Sequence, residues 1–129
     1  MQNHSIIHYA LTGITALVAI LHVYFLILES FLWTRPIGLK VFRQSLEKAK
    51  ATDVLAKNQG LYNGFLAAGL IWSLLHANAY SATEIRTFFF SCVIIAGIVG
   101  GLTVNKRIFV IQSVPALIGL LLNCLVPTA

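Results

Sequence analysis

Charge is what this sequence has least of. Only 10% of its 129 residues are charged and only four are acidic, whereas 58% are apolar. An ordinary soluble domain carries roughly 25% charged and about 45–50% apolar residues. So little charge excludes a disordered chain, which stays solvated through charge and polarity. It also excludes a soluble globular domain, because a chain this short has too much surface for its volume to hide that many apolar side chains from water. Cysteine is scarce as well. The two present, Cys92 and Cys124, fall inside apolar runs. That excludes a disulfide scaffold and makes them small core residues. The N-terminal MQNHS has no Lys or Arg, so a cleavable signal peptide is not expected. The chain has no nucleotide-binding loop, no C-x-x-C and no Ser-His-Asp arrangement. It also lacks the aromatic-basic interleaving of a nucleic-acid binder, so nucleic acid is not an expected partner.

What is there is apolar sequence in long runs. Four stretches, Ile6–Trp33, Val54–Ala77, Thr87–Thr103 and Ile108–Val126, have the length of membrane-crossing helices, which need about 20 apolar residues. The expected fold is therefore all-α: one integral membrane four-helix bundle over 1–129, with helices near 6–33, 54–77, 87–105 and 108–126. The first stretch would rise about 42 Å at 1.5 Å per residue, so it must tilt or project. Arg35, Lys40, Arg43, Lys48, Lys50 and Lys57 lie in or beside the 34–53 loop, and Lys106 and Arg107 lie in the last link. The 78–86 link carries only Arg86, so eight basic residues stand on one side against one on the other. By the positive-inside rule the basic side is cytoplasmic, and both termini face out from a bacterial inner (plasma) membrane. Within the loop, Leu39, Phe42, Leu46 and Ala49 fall at helical spacing. This predicts a short amphipathic helix, either lying on the membrane surface with its bases near anionic lipid or forming a solvated arm. Thr52 or Asp53 is the expected N-cap of the second span.

Polar side chains at membrane depth are costly and carry most of the functional information. His22 and Glu29, seven residues apart, share one face of the first span, about 10 Å from each other, and Trp33 continues that face. Asn58, Gln59, Tyr62 and Asn63 form a broad polar face on the second span. Asn105 ends the third, and Gln112 sits one turn into the fourth. All lie toward the basic ends of their helices, except His22, which lies deeper. The outer ends hold only His8, His76 and Asn123. The expectation is a polar pocket open to the cytoplasm and floored by His22, with Glu29 satisfied by Asn58, Gln59, Tyr62 or Asn63. Amides and histidines also act as interhelical glue worth about 0.6 kcal/mol per bond, whereas a carboxylate at that depth must be paired, hydrogen-bonded or protonated. Gly60 and Gly64, and Gly97 and Gly101, form two G-x-x-x-G spacings that permit close helix approach within the chain or between copies in a homo-oligomer. Pro115 is expected to kink the last span. His4 and His8, with His76 or Glu84, make only a low-specificity pattern for a metal, and none is expected.

The stretch LHVYFLILESFLWTRPIGLKVF (21–42), with TDVLAKNQGLYNGFLAAGLIW (52–72), resembles a family of small bacterial membrane proteins known as domain of unknown function 1304. The resembling positions are His22, Glu29, Trp33, Pro36, Phe42 and the block from Asn58 to Gly64; Ser30 departs from the Met of the pattern. The resemblance implies a membrane topology and no particular activity. A fainter resemblance, to membrane-associated eicosanoid and glutathione metabolism proteins, lies in the four helices, the outside termini and the long cytoplasmic first loop; in that family's second-helix pattern only Ala56 and Asn63 match. The Arg, His and Glu of that family's second-helix pattern are absent here, so it implies architecture rather than glutathione binding. Three functional readings follow. The first is a pocket for a small amphiphile or membrane lipid. The second is a membrane enzyme on a lipophilic substrate, with Glu29 or His22 as acid/base. The third is a structural or accessory subunit. No cofactor is named by any of these residues.

Overall fold

The computed structural model describes the backbone of residues 2–126 and the side chains of residues 5–126. Every element among them is helical: α1 (Gln2–Phe31), α2 (Pro36–Phe42), α3 (Leu46–Ala51), α4 (Asp53–Leu75), α5 (Ala79–Thr103), α6 (Lys106–Ile108) and α7 (Val114–Leu125), with a π-helical stretch at Phe109–Ser113. Three helices are long and apolar enough to cross a membrane: Ser5–Phe31, Ala79–Thr103 and the continuous Lys106–Leu125. Only 22–33% of the residues in their most apolar windows are buried, so most of their surface needs apolar surroundings. Their hydroxyls behave accordingly. Thr12, Thr15, Thr87, Ser91 and Thr103 each donate to a backbone carbonyl four residues back, which satisfies them without water. α4 is a full-length helix of 23 residues. It is not among the three because Asp53, Lys57, Asn58, Gln59 and Asn63 make its first half polar.

The described chain sorts into two compact units, one of Ile20–Ala67 and one of the residues up to Ala19 and from Ala68 onward. In the Ile20–Ala67 unit, Arg35 is extended and Pro36 opens α2, where its missing N–H costs nothing. The single amphipathic helix expected over this loop is two helices. Arg43 adopts a left-handed conformation (φ 50°) that ends α2. Ser45 then starts α3 by accepting from Lys48 N at 3.2 Å, the usual work of a serine N-cap. The side chain of Thr52 closes α3 rather than capping α4: its Oγ1 donates to Lys48 O at 2.9 Å. Trp33 ties the segment down. Its indole Nε1 donates to Ala49 O at 3.1 Å and to Thr52 Oγ1 at 3.2 Å, and its ring lies 4.6 Å from that of Phe42. Gly38 lies directly under the end of α1, where a Cβ would collide with the Leu32 carbonyl.

In the other unit, α5 packs against the Lys106–Leu125 helix around Phe90, Val93, Ala116 and Gly119, all buried. α5 begins at Ala79, eight residues before the expected Thr87. Asn78 caps it by accepting from Ser81 N at 2.9 Å. Hydropathy locates where a helix enters an apolar layer, and a cap locates where it starts; here the two differ by two turns. The kink expected at Pro115 takes the form of the π-helical stretch just before it, where Val114 N bonds Phe109 O, five residues back. Proline has no N–H to give and its ring crowds the carbonyl four residues back, so the ladder shifts by one residue. All four G-x-x-x-G glycines face helices of their own chain: Gly60 meets Ser30 and Gly64 meets Leu26 in one unit, and Gly97 meets Ser113 and Gly101 meets Phe109 in the other.

Candidate functional site

Glu29 and Asn63 sit on α1 and α4 within the Ile20–Ala67 unit. Gly60, one turn before Asn63, has no side chain, so a Cβ built there would lie only 3.2 Å from the Glu29 Cβ. That close approach lets the Asn63 amide reach the carboxylate: Nδ2 donates to Glu29 Oε2 at 2.7 Å, with both residues buried. Of the four donors expected for Glu29, Asn63 is the one that bonds it. Asn58, Gln59 and Tyr62 are exposed. The ring of Tyr62 lies 6.2 Å from that of Phe65. His22 is 1% exposed and packs edge-on to Phe25.

The open space of this unit lies elsewhere. A cleft of about 530 Å³ is lined by the apolar and aromatic Phe31, Trp33 and Leu46, the hydroxyls of Ser30 and Thr34, and the charged Arg35, Lys50, Lys57 and Asp53. Asp53 is already engaged, its Oδ2 accepting from Lys57 Nζ at 2.7 Å. Among the sequence-expected site residues Trp33 alone lines this cleft. Glu29 and His22 do not, because the face of α1 that carries Glu29 is covered by α4. The cleft residues that sequence reasoning missed are the cations and hydroxyls at the helix ends. Their signal in the sequence is a tryptophan beside clustered bases at one helix terminus, a pattern that equally serves as a marker of topology.

Asn105 and Gln112 belong to the other unit. Asn105 caps α6, its Oδ1 accepting from Arg107 N at 2.9 Å. Gln112 is half-buried in the π-helical stretch, with its Cβ against Gly97. That unit also contains a polar cluster the sequence did not announce. Arg86 is buried, and its Nε donates to Asn123 Oδ1 at 2.7 Å. Asn123 Nδ2 in turn donates to Thr83 O and Thr87 Oγ1, each at 3.0 Å. The hydropathy pattern starts the third span at Thr87 and so leaves Arg86 in the preceding link, whereas α5 begins at Ala79 and carries Arg86 into the packed helix. No group of three or more potential metal ligands gathers among the described residues; the side chain of His4 lies outside them.

A family described as "Protein of unknown function (DUF1304)" matches residues 16–124, a range that holds the cleft, the Glu29–Asn63 pair and the Arg86–Asn123 cluster. The chain belongs to the DUF1304 family. It is also similar to "Uncharacterized protein YpaA" of Lactococcus lactis subsp. lactis (strain IL1403), 32% identical over 110 residues that cover 84% of this chain and 91% of that protein. No solved structure matches the chain. The family expected from the residues around Glu29 and the NQGLYNG block is thus the one shown, and DUF1304 carries no named activity.

Proposed function

We propose that this DUF1304 protein is a four-helix bundle of the bacterial inner membrane, with both termini outside, that binds a small amphiphile or lipid at its cytoplasmic face. The observation that carries the reading is the cleft of the Ile20–Ala67 unit. Its lining combines the apolar Phe31 and Leu46 with the charged Arg35, Lys50, Lys57 and Asp53, and the Trp33 ring is held by two hydrogen bonds to Ala49 O and Thr52 Oγ1. A lining of both characters fits a ligand with a tail and a head, and a locked aromatic loses little freedom when it is covered. α4 joins the three apolar helices as the fourth span: its 23 residues rise about 35 Å at 1.5 Å per residue, enough to cross. In this reading Glu29 and Asn63 hold α1 to α4 beside the cleft and do no acid/base chemistry.

The test is native mass spectrometry of the protein released from mild detergent. Wild-type protein should carry an adduct of lipid mass that survives gentle activation. Phe31→Ser and Leu46→Ser, both at exposed positions of the cleft wall, should lose most of it. Leu102→Ser, at a still more exposed position on α5, should keep it. Equal occupancy in all three variants, or no adduct on the wild type, would overturn the proposal.

A further inference from the structure

We infer that the head of the cleft's ligand is an anion of the phosphate type; this rests on the amphiphile reading above. Three cations and one carboxylate line the cleft. The carboxylate, Asp53, is held by Lys57 at 2.7 Å, and this is the one ion pair among the described residues. Arg35 and Lys50 therefore face the cleft with no acidic partner. The remaining polar groups at its wall are the hydroxyls of Ser30 and Thr34, which can donate. The Trp33 N–H is already given to Ala49 O and Thr52 Oγ1, so that residue offers only its ring. The lining thus carries three cations against one carboxylate, with hydroxyls that can donate to an anion.

That balance selects among heads. A phosphate presents only acceptors and charge, and the planar guanidinium fork of Arg35 matches its oxygens. A choline or ethanolamine head brings a cation that would find only the occupied Asp53. The cleft volume of about 530 Å³ lies within the ordinary range for a small-molecule site. It takes a head and the first part of one chain, which runs along Phe31 and Leu46. Attraction of a basic surface for an anionic bilayer is a different effect. It is spread over every base near the membrane, including Lys40 and Lys48, which do not line the cleft.

The experiment titrates the detergent-solubilised full chain with three probes, read by native mass spectrometry: a single-chain alkyl phosphate, an alkyl phosphocholine of the same chain length, and inorganic phosphate. The alkyl phosphate should bind at least about tenfold more tightly than the phosphocholine, a gap of about 1.4 kcal/mol. Inorganic phosphate alone should bind weakly. Arg35→Gln/Lys50→Gln should abolish the preference. Lys40→Gln/Lys48→Gln, which removes the same charge outside the cleft, should keep it. All four positions are exposed, and circular dichroism should show the variants equally folded. Equal binding of both alkyl probes, or equal loss in both double variants, overturns the anionic head while the amphiphile reading stands. No binding of either alkyl probe overturns both. Inorganic phosphate binding as tightly as the alkyl phosphate keeps the anion and overturns the tail.

Discussion

Glu29 is held by one neutral donor, the Asn63 amide at 2.7 Å, and that contact decides how substitutions there should behave. Glu29→Gln keeps an acceptor of the same shape and removes a charge that is costly to bury, so thermal stability in detergent should be unchanged or higher. Glu29→Leu leaves the Asn63 amide buried without its acceptor, which costs about 1–3 kcal/mol. Asn63→Leu added to Glu29→Leu should recover part of that loss, because removing both partners of a buried pair is far less harmful than removing one. Unfolding followed by circular dichroism checks the series; a Gln variant as destabilised as Leu would show that the charge itself is required. Much of this contact was legible in sequence. A carboxylate in an apolar run needs a partner, and the run Ile6–Trp33 holds no Lys or Arg. Which of four candidates on α4 would bond it was not legible, because that depends on rotation about the helix axis, and the rotation is set by the close approach at Gly60. Arg86 is the opposite case. Its partner Asn123 is 37 residues away, and nothing local in the chain pairs the two.

At the scale of elements, periodicity and composition gave every long helix, and capping chemistry decided where they end. Leu39, Phe42, Leu46 and Ala49 do lie at helical spacing, yet the backbone breaks between them at Arg43, since a left-handed residue and a serine cap override a weak pattern over so few turns. The glycines divide by what stands opposite them. At Gly97 a Cβ would meet Ser113 N at 2.9 Å and the Ser113 hydroxyl more closely still. The obstacle is partly backbone and cannot swing away, so Gly97→Ala should destabilise by about 1–3 kcal/mol. At Gly13 nothing lies within 4 Å, so Gly13→Ala should stabilise α1 by about 0.5–1 kcal/mol through helix propensity. Paired melting curves of the two variants check both signs at once. If Gly97→Ala were neutral, the packing of α5 on the Lys106–Leu125 helix would have to be looser than the contacts at Ser113 imply.

For the molecule as a whole, the question is how many times the chain crosses. Three helices meet the length and apolarity needed, and α4 has the length but a polar first half. If α4 lay on the surface instead, the ends of α5 would exchange sides, and Lys106 and Arg107 would leave the side that holds the six bases from Arg35 to Lys57. Four crossings keep all eight together and leave only Arg86 opposite, the distribution that insertion favours. The polar half of α4 is then tolerable because Asn63 is spent on Glu29, while Asp53 and Lys57 pair at the helix end beside the basic loop. Single cysteines at Ser45, Asn78 and Asn105, in a chain with Cys92 and Cys124 replaced by Ala, separate the alternatives. In intact cells a membrane-impermeant thiol reagent should label position 78 and spare 45 and 105 until the cells are opened. A periplasm-active reporter fused after residue 129 should be active. Labelling of 105 together with protection of 78 would mean that α4 does not cross, and the placement of the cleft at the cytoplasmic face would then rest on the 34–57 segment alone.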